Sequence, residues 1–259
     1  MAENEKVQVL LERFVRETIS VLKENLAGVY LHGSLAMGCF HEKKSDVDLI
    51  VVVHHPLLME VKRAYLEKIL MLNEDAPAKG IEMSVVLKRD MREFHHPAPY
   101  EMHFSNAHVD AYRADTEGTL LRLMGTDRDL AAHVTIINRY GKTLFGEEIQ
   151  SVFSEVSSED YLDALIYDIE NAEEEICENP MYMTFSLSRV LAYVKEGKVL
   201  SKKDGALWAL LNVKREFHPL IRSALDAYES SESMRVSTEN AMRFANDMLS
   251  QIHSLIGRK

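Results

Sequence analysis

The chain has 259 residues, of which 46% are hydrophobic and 27% charged, a balance typical of a globular protein with one large core or two modest ones. Its formal net charge of -11 argues against nucleic acid as a partner, because phosphate binding relies on basic surface, but is compatible with a cationic small molecule. No apolar run reaches the length of a membrane span, and no basic stretch followed by an apolar one opens the chain, so we expect a cytoplasmic protein that binds no membrane.

The first part of the chain alternates helical and extended patterns. Apolar residues at helical spacing predict helices over 7–23 and about 58–73. Apolar, β-prone runs predict strands over 28–32, 47–53 and 81–87. These segments indicate a mixed α/β organisation.

From residue 129 the pattern becomes helical. A stripe over 130–140 predicts a helix that ends at Gly141, followed by a turn at 144–146. A capping pattern at Ser157 predicts an acidic helix over 159–178, which Asn179-Pro180 would close. Further helices are predicted at about 182–196, 202–213, 215–228 and 235–256. We place a domain boundary near residue 150.

Two short motifs flank the first two predicted strands. Gly33-Ser34 follows the first strand, and Asp46-Val47-Asp48 opens the second. Side chains alternate along a strand, so Asp46 and Asp48 project from one face and can share divalent cations. Gly33 lets the backbone approach a phosphate, and Ser34 offers it a hydroxyl. Either motif alone is also common as a plain turn or strand edge, but together they are typical of nucleotidyl transfer.

Glu82 interrupts the third predicted strand. A carboxylate near the middle of a sheet needs a partner. If the third strand lies beside the second, Glu82 can join Asp46 and Asp48 on one face. On an edge strand it would point to solvent instead, and the sequence leaves the strand order open.

Several segments, in this order along nearly the whole chain, resemble the streptomycin/spectinomycin adenylyltransferases, a family of the polymerase-β-like nucleotidyltransferase superfamily. The segments are Gly33-Ser34, Asp46-Val47-Asp48, the strand with Glu82, and residues 127–130, 185–189 and 201–204. The resemblance implies an α+β fold: an N-terminal nucleotidyltransferase domain with a mixed β-sheet over 1–150, and a C-terminal α-helical bundle over 151–259.

The resemblance also implies a reaction, the transfer of AMP from ATP to a hydroxyl of an aminoglycoside or aminocyclitol antibiotic, which would confer resistance. Two Mg²⁺ ions on Asp46 and Asp48 would neutralise the triphosphate, and Glu82 would take the proton from the hydroxyl. Beyond Gly33 and Ser34, the resemblance adds four residues to the nucleotide site: Ser45, Asp129, Lys203 and Tyr228. Lys203 as a solvated lysine and Tyr228 as a packing residue remain open alternatives.

The acceptor side departs from the family pattern. Ala107 stands where the family has a Trp, and Asn179 and Tyr182 stand where it has an acidic residue and a His. Losing a carboxylate removes a partner for a guanidinium group, so we expect spectinomycin to be preferred over streptomycin. We expect His103 and His108 to line the acceptor cleft together with Asn179 and Tyr182.

Two alternatives of other kinds remain. One is a nucleotidyltransferase with another acceptor, such as a different antibiotic or a protein hydroxyl. The other is a non-catalytic nucleotide-binding module of a toxin–antitoxin system, against which Asp46, Asp48 and Glu82 argue, because a pure binder needs no catalytic base. We expect a monomer whose partners are ATP and a cationic small molecule.

Overall fold

A computed structural model describes residues 3–230 and 233–257. The chain divides into two compact units, of which the first ends at Tyr161 and the second begins at Leu162. The first unit is mixed α/β and the second is helical, as the sequence predicts. A functional domain boundary near residue 150 stays a prediction.

The first unit is built on a five-stranded mixed sheet with the order β5-β3-β2-β1-β7. Its strands in chain order are β1 Leu26–Leu31, β2 Val47–Val53, β3 Ile81–Leu87, β5 Met102–Phe104 and β7 Lys142–Gly146. Strands β2 and β3 pair in parallel, and the other neighbours pair antiparallel. A separate two-stranded sheet pairs β4 Ala98–Tyr100 with β6 Gly125–Asp127.

Helices cover both faces of the larger sheet. They are α1 Glu3–Leu22, α2 Gly33–Ala36, α3 Met59–Asn73, α4 Lys88–Arg92, α5 Val109–Ala114, α6 Thr116–Arg122, α7 Leu130–Tyr140 and α8 Ile149–Val152. Along β2, Val51 packs into the core that includes α1 and α3, while Ile50 and Val52 pack into the core that includes α7 and α8. Because both faces are covered, β2 is a nearly continuous apolar run, and its polar residues fall at the N-terminal end, next to the site described below.

The second unit contains helices α10 to α14, and α9 Ser158–Tyr167 leads into it across the boundary. The other helices are α10 Ala172–Glu178, α11 Pro180–Glu196, α12 Lys202–Asn212, α13 His218–Glu229 and α14 Thr238–Ile256. Ser201 and Ser237 cap α12 and α14 by accepting a backbone N–H three residues on. Among the residues that the structure describes, none of these helices combines the length and the apolar character needed to cross a membrane.

Two sequence predictions are wrong. The acidic helix over 159–178 is two helices, because the chain leaves the helical path after Tyr167 and re-enters it at Ala172. The predicted end at Asn179-Pro180 is confirmed, since α10 ends at Glu178, and Pro180 then opens α11, where its missing N–H costs nothing. The turn predicted at 144–146 belongs to strand β7, in which Gly146 pairs with Gly28 of β1.

Candidate functional site

The parallel register of β2 and β3 brings three carboxylates together. Asp48 lies directly opposite Glu82 in the ladder, and Asp46 immediately precedes β2. One ligand oxygen from each of Asp46, Asp48 and Glu82 lies within 4.8 Å of the other two, and we call these residues the carboxylate triad. All three are half-buried. Such close carboxylates repel one another, and an all-oxygen donor set is what Mg²⁺ prefers, so the triad fits a divalent cation.

The structure gives a reason for glycine at position 33 that the sequence did not reveal. Its φ is +61°, and a Cβ placed there would lie 1.7 Å from Asp48 Oδ2. The backbone beside it is also tied to the second strand, since the His32 N–H donates to the Asp48 carbonyl oxygen at 3.0 Å. Gly33 therefore makes room for the Asp48 carboxylate, whether or not it also approaches a phosphate.

The two serines near the triad have different surroundings. Ser34 Oγ is buried and has no hydrogen-bond partner among the residues that the structure describes, which suits a hydroxyl awaiting a phosphate oxygen. Ser45 is buried, and its Oγ accepts from the His41 N–H at 3.1 Å. Ser45 thus braces the loop that leads into Asp46, and a contact with the nucleotide stays a prediction for it.

The environment of Glu82 favours the protonated acid. Burial raises the pKa of Glu82; His133 opposes this, and Asp46, Asp129 and Asp127 add to it. The positions of Asp129 and Asp127 are linked, because Asp127 Oδ1 accepts from the Asp129 N–H at 2.8 Å. A carboxyl group with a raised pKa and neighbouring carboxylates is a candidate acid–base residue.

Two histidines that the sequence did not single out lie near the site: His133 acts on Glu82, and His32 lies against His133. The rings of His32 and His133 have centroids 4.7 Å apart. Burial, with His133 acting in the same direction, lowers the pKa of His32 well below its ordinary value, so that His32 is neutral at pH 7. His133 lies on α7 four residues after Asp129, and this spacing places both residues on one side of the start of the helix. That spacing was the sequence signal that could have indicated His133 as a site residue.

His103 joins the same face of the sheet. It lies opposite Ser84 in the β3–β5 ladder, and its Nδ1 lies 3.0 Å from Ser84 Oγ. Ser84 follows Glu82 by two residues, so both side chains leave the same face of β3. Burial lowers the pKa of His103, whereas Asp127 raises it. The structure therefore places His103 on the same sheet face as Glu82.

His108 and Ala107 lie on an exposed 3₁₀ turn over Asn106–His108. His108 Nδ1 lies 2.8 Å from Ser105 Oγ, and the imidazole lowers the pKa of His103. His108 is thus near His103 on an exposed turn, and an acceptor contact stays a prediction for it.

Two family models match this chain. A nucleotidyltransferase domain matches residues 13–104, and the C-terminal domain of the aminoglycoside adenylyltransferases matches residues 151–251. The chain belongs to the aminoglycoside adenylyltransferase family. Within the nucleotidyltransferase superfamily it is therefore an enzyme of the adenylyl-transfer class.

Curated relatives and a solved structure agree with this membership. An aminoglycoside (3'') (9) adenylyltransferase of Klebsiella pneumoniae is 24% identical over 98% of this chain and 97% of its own length. A spectinomycin 9-adenylyltransferase of Staphylococcus aureus strain Mu50 is 24% identical over 82% of this chain and 83% of its own. A crystal structure of a spectinomycin adenyltransferase from Enterococcus faecialis with ATP and spectinomycin has the same fold, with a TM-score of 0.81, 19% identity and coverage of 95% of this chain and 99% of that one.

Lys203 and Tyr228, the two residues of the second unit that are predicted to bind the nucleotide, have partners within that unit. Lys203, in the first turn of α12, donates to Glu229 Oε1 at 2.6 Å, and this contact raises the pKa of Lys203. Tyr228 is buried and meets Phe185 edge to face, with ring centroids 5.5 Å apart. The nucleotide contacts predicted for Lys203 and Tyr228 stay predictions.

The predicted acceptor residues of the second unit lie at the start of α11. Asn179 precedes its first turn and is exposed. The Tyr182 hydroxyl donates to Asp168 Oδ1 at 2.5 Å, and Arg189 lies 3.5 Å from the other Asp168 oxygen. Burial raises the pKa of Tyr182, and Asp168 adds to the effect. The Lys202 ammonium lies 5.2 Å from the centroid of the Tyr182 ring, so Tyr182 is held between two cations and one carboxylate.

Proposed function

We propose that this protein is a Mg²⁺- and ATP-dependent adenylyltransferase that transfers AMP to a hydroxyl of an aminoglycoside or aminocyclitol antibiotic, with spectinomycin the preferred acceptor, and so confers resistance. The observation that carries the proposal is the carboxylate triad, whose oxygens lie within 4.8 Å of one another in a chain of this family. The names of the relatives, which act on aminoglycosides and spectinomycin, support the choice of acceptor.

Asp46 and Asp48 are the residues that would hold two Mg²⁺ ions. When bound, these ions neutralise the triphosphate and stabilise the charge that develops in an in-line displacement. Glu82 takes the proton of the acceptor hydroxyl in its ionised form, whose affinity for a proton is increased by burial, the cause of its raised pKa. The acceptor oxygen then bonds to the α-phosphorus, the bond from that phosphorus to the bridging oxygen breaks, and pyrophosphate leaves.

Other residues would bind the two substrates. For ATP, the proposed residues are Gly33, Ser34, Ser45, Asp129, Lys203 and Tyr228. Of these, Ser34 has the strongest support, because its buried hydroxyl has no partner among the residues that the structure describes. For the acceptor, the proposed residues are His103, His108, Asn179 and Tyr182. His103 has the strongest support, since it shares a sheet face with Glu82.

We further propose that the protein works as a cytoplasmic monomer that binds neither nucleic acid nor membrane. Its net charge of -11 supports the proposal that it does not bind nucleic acid. The same charge attracts a cationic antibiotic over long distances at low ionic strength.

The proposal is tested by incubating the purified protein with Mg²⁺, ATP and a panel of antibiotics, and by searching the products by mass spectrometry for an added AMP. We expect an adduct on spectinomycin and none when Mg²⁺ is chelated. AMP on a protein hydroxyl instead would favour a different acceptor. Nucleotide binding without any adduct would favour a non-catalytic module and contradict the proposal.

A further inference from the structure

Five polar side chains of the first unit follow one another from Glu82 to Asp127. Glu82 and Ser84 leave the same face of β3, and Ser84 Oγ lies 3.0 Å from His103 Nδ1. The His103 ring meets the Tyr100 ring edge to face, with centroids 6.1 Å apart. Asp127 completes the series, and we call these five residues the polar ring.

The β4–β6 ladder explains why Asp127 belongs to this ring. Tyr100 lies opposite Gly125, and a Cβ at Gly125 would lie 2.8 Å from the Tyr100 hydroxyl oxygen, so the aromatic ring covers Gly125. Asp127 follows Gly125 by two residues and therefore leaves the same face of β6 as the Tyr100 ring. The Asp127 carboxylate is close enough to raise the pKa values of Tyr100, His103 and Glu82.

Asp127 has a hydrogen-bond partner but no salt bridge among the described residues. Its Oδ1 accepts from the Asp129 N–H at 2.8 Å. Across residues 3–230 and 233–257, no Lys, Arg or His nitrogen forms a salt bridge with it within 4.0 Å. Asp127 is also not one of the three residues whose oxygens form the carboxylate triad. A half-buried carboxylate of this kind is suited to a cation brought by a substrate.

We propose that Asp127, with the Tyr100 ring beside it, binds an ammonium group of the acceptor next to the hydroxyl that Glu82 deprotonates. The inference rests on the proposed function and narrows it to acceptors that carry an amine close to the modified hydroxyl. A charge-assisted N–H to carboxylate hydrogen bond would orient the acceptor, and the face of Tyr100 would add a cation–π contact.

The test uses Asp127→Asn in the full-length protein. Asparagine keeps the Oδ1 that accepts the Asp129 N–H and removes only the charge. The matched control is Asp115→Asn, since Asp115 Oδ1 accepts the Gly118 N–H at 2.8 Å in the same manner on exposed surface. Calorimetry measures the binding of spectinomycin in the presence of Mg²⁺ and a non-cleavable ATP analogue, and steady-state kinetics give KM for each substrate.

For Asp127→Asn we expect spectinomycin to bind about tenfold more weakly or worse, with a matching rise in its KM, because a hydrogen bond to a charged group is lost. Binding of the ATP analogue should change by less than about twofold, since the triad is intact, and the same threshold applies to Asp115→Asn for both ligands. Thermal unfolding checks that the two variants fold alike.

Three results would overturn the inference. If the wild type adenylylates spectinomycin and Asp127→Asn binds it equally well, the inference fails and the proposed function stands. If Asp127→Asn weakens the binding of the ATP analogue as much as the binding of spectinomycin, Asp127 contributes to the binding of the nucleotide or its metal instead. If the wild type neither binds nor modifies any amine-bearing antibiotic of the panel, the proposed function fails and the inference fails with it.

Discussion

The carboxylates around Glu82 in the first unit and the predicted site residues of the second unit differ in how their charges are balanced. In the first, Asp46, Asp127 and Asp129 all act on Glu82 in the direction that disfavours its ionisation. In the second, two residues that the family resemblance selects already have partners: Lys203 is paired with Glu229, and Tyr182 with Asp168, which also meets Arg189.

The carboxylates around Glu82 therefore need cations from outside the chain, whereas the charged residues compared in the second unit already have partners of opposite charge or hydrogen-bond partners. Replacing one of the carboxylates around Glu82 removes repulsion and function together. Replacing Asp168 in the second unit removes a stabilising contact. A substitution among the carboxylates around Glu82 should therefore lower activity but not stability. A substitution of Asp168 should lower stability.

The largest expected effect is on Asp48→Ala. Asp48 is a proposed metal ligand, and metal-ion stabilisation is worth several kcal/mol, so AMP transfer should fall by about three decades or more. The rate of AMP-adduct formation at saturating ATP and spectinomycin measures this. Asp226→Ala, an exposed change in the second unit, is the control and should retain the wild-type rate. Near-wild-type turnover by Asp48→Ala would refute the metal assignment.

The kcat/KM values for streptomycin and spectinomycin should differ by about two decades. Ala107, Asn179 and Tyr182 stand where the family's streptomycin contacts would be aromatic, acidic and imidazole, and losing such contacts costs several kcal/mol. The kcat/KM for streptomycin should therefore be about a hundredfold or more below that for spectinomycin. An equal or higher kcat/KM for streptomycin would mean that other residues supply those contacts.

The strands that carry the triad could be predicted from sequence because they are buried on both faces. The predicted strands 47–53 and 81–87 coincide with β2 and β3. The pairing of Asp48 with Glu82 could not be predicted, since it depends on which strands are neighbours. Strand order reflects contacts distant in sequence, which local periodicity does not encode.

The errors have similar causes. Leu144–Gly146 looks like a turn by composition, but strand β1 offers it a partner. The break after Tyr167 places Asp168 against Tyr182 and Arg189, which are on another helix. Asp127 and His133 were missed because their proximity to Glu82 arises from the β4–β6 ladder and from the placement of α7. In each case tertiary contacts overrode a local signal.

A substitution in the second unit should lower stability. Asp168 is 23% exposed in its side chain, as is Arg189, and Asp168→Ala leaves Arg189 and Tyr182 without this partner. We expect the free energy of unfolding to fall by about 1–3 kcal/mol, measured by chemical denaturation. Asp226→Ala again serves as the control and should be neutral. A neutral Asp168→Ala would show that this region is not held by its charges.

The smallest effect concerns pH and the metal-free protein. The folded-state pKa of Glu82 is raised, so its contribution to stability is present below the ordinary value of about 4.3 and is lost as pH rises through the folded-state pKa. Glu82→Gln should therefore raise Tm by about 2–4 °C at pH 8 in chelator, and this gain should vanish near pH 4. A gain that is independent of pH would place its cause outside this ionisation.

The central claim, that Glu82 takes the proton while Asp46 and Asp48 hold the metal, is tested most directly by Glu82→Gln. The amide keeps the shape of the side chain and cannot accept a proton. The measurement compares ATP affinity by calorimetry with Mg²⁺ present and kcat for AMP transfer to spectinomycin. We predict an ATP affinity within about twofold of the wild type and a kcat lower by about 10²–10⁴-fold. Normal ATP affinity with an unchanged kcat would contradict the account and leave Glu82 a structural residue.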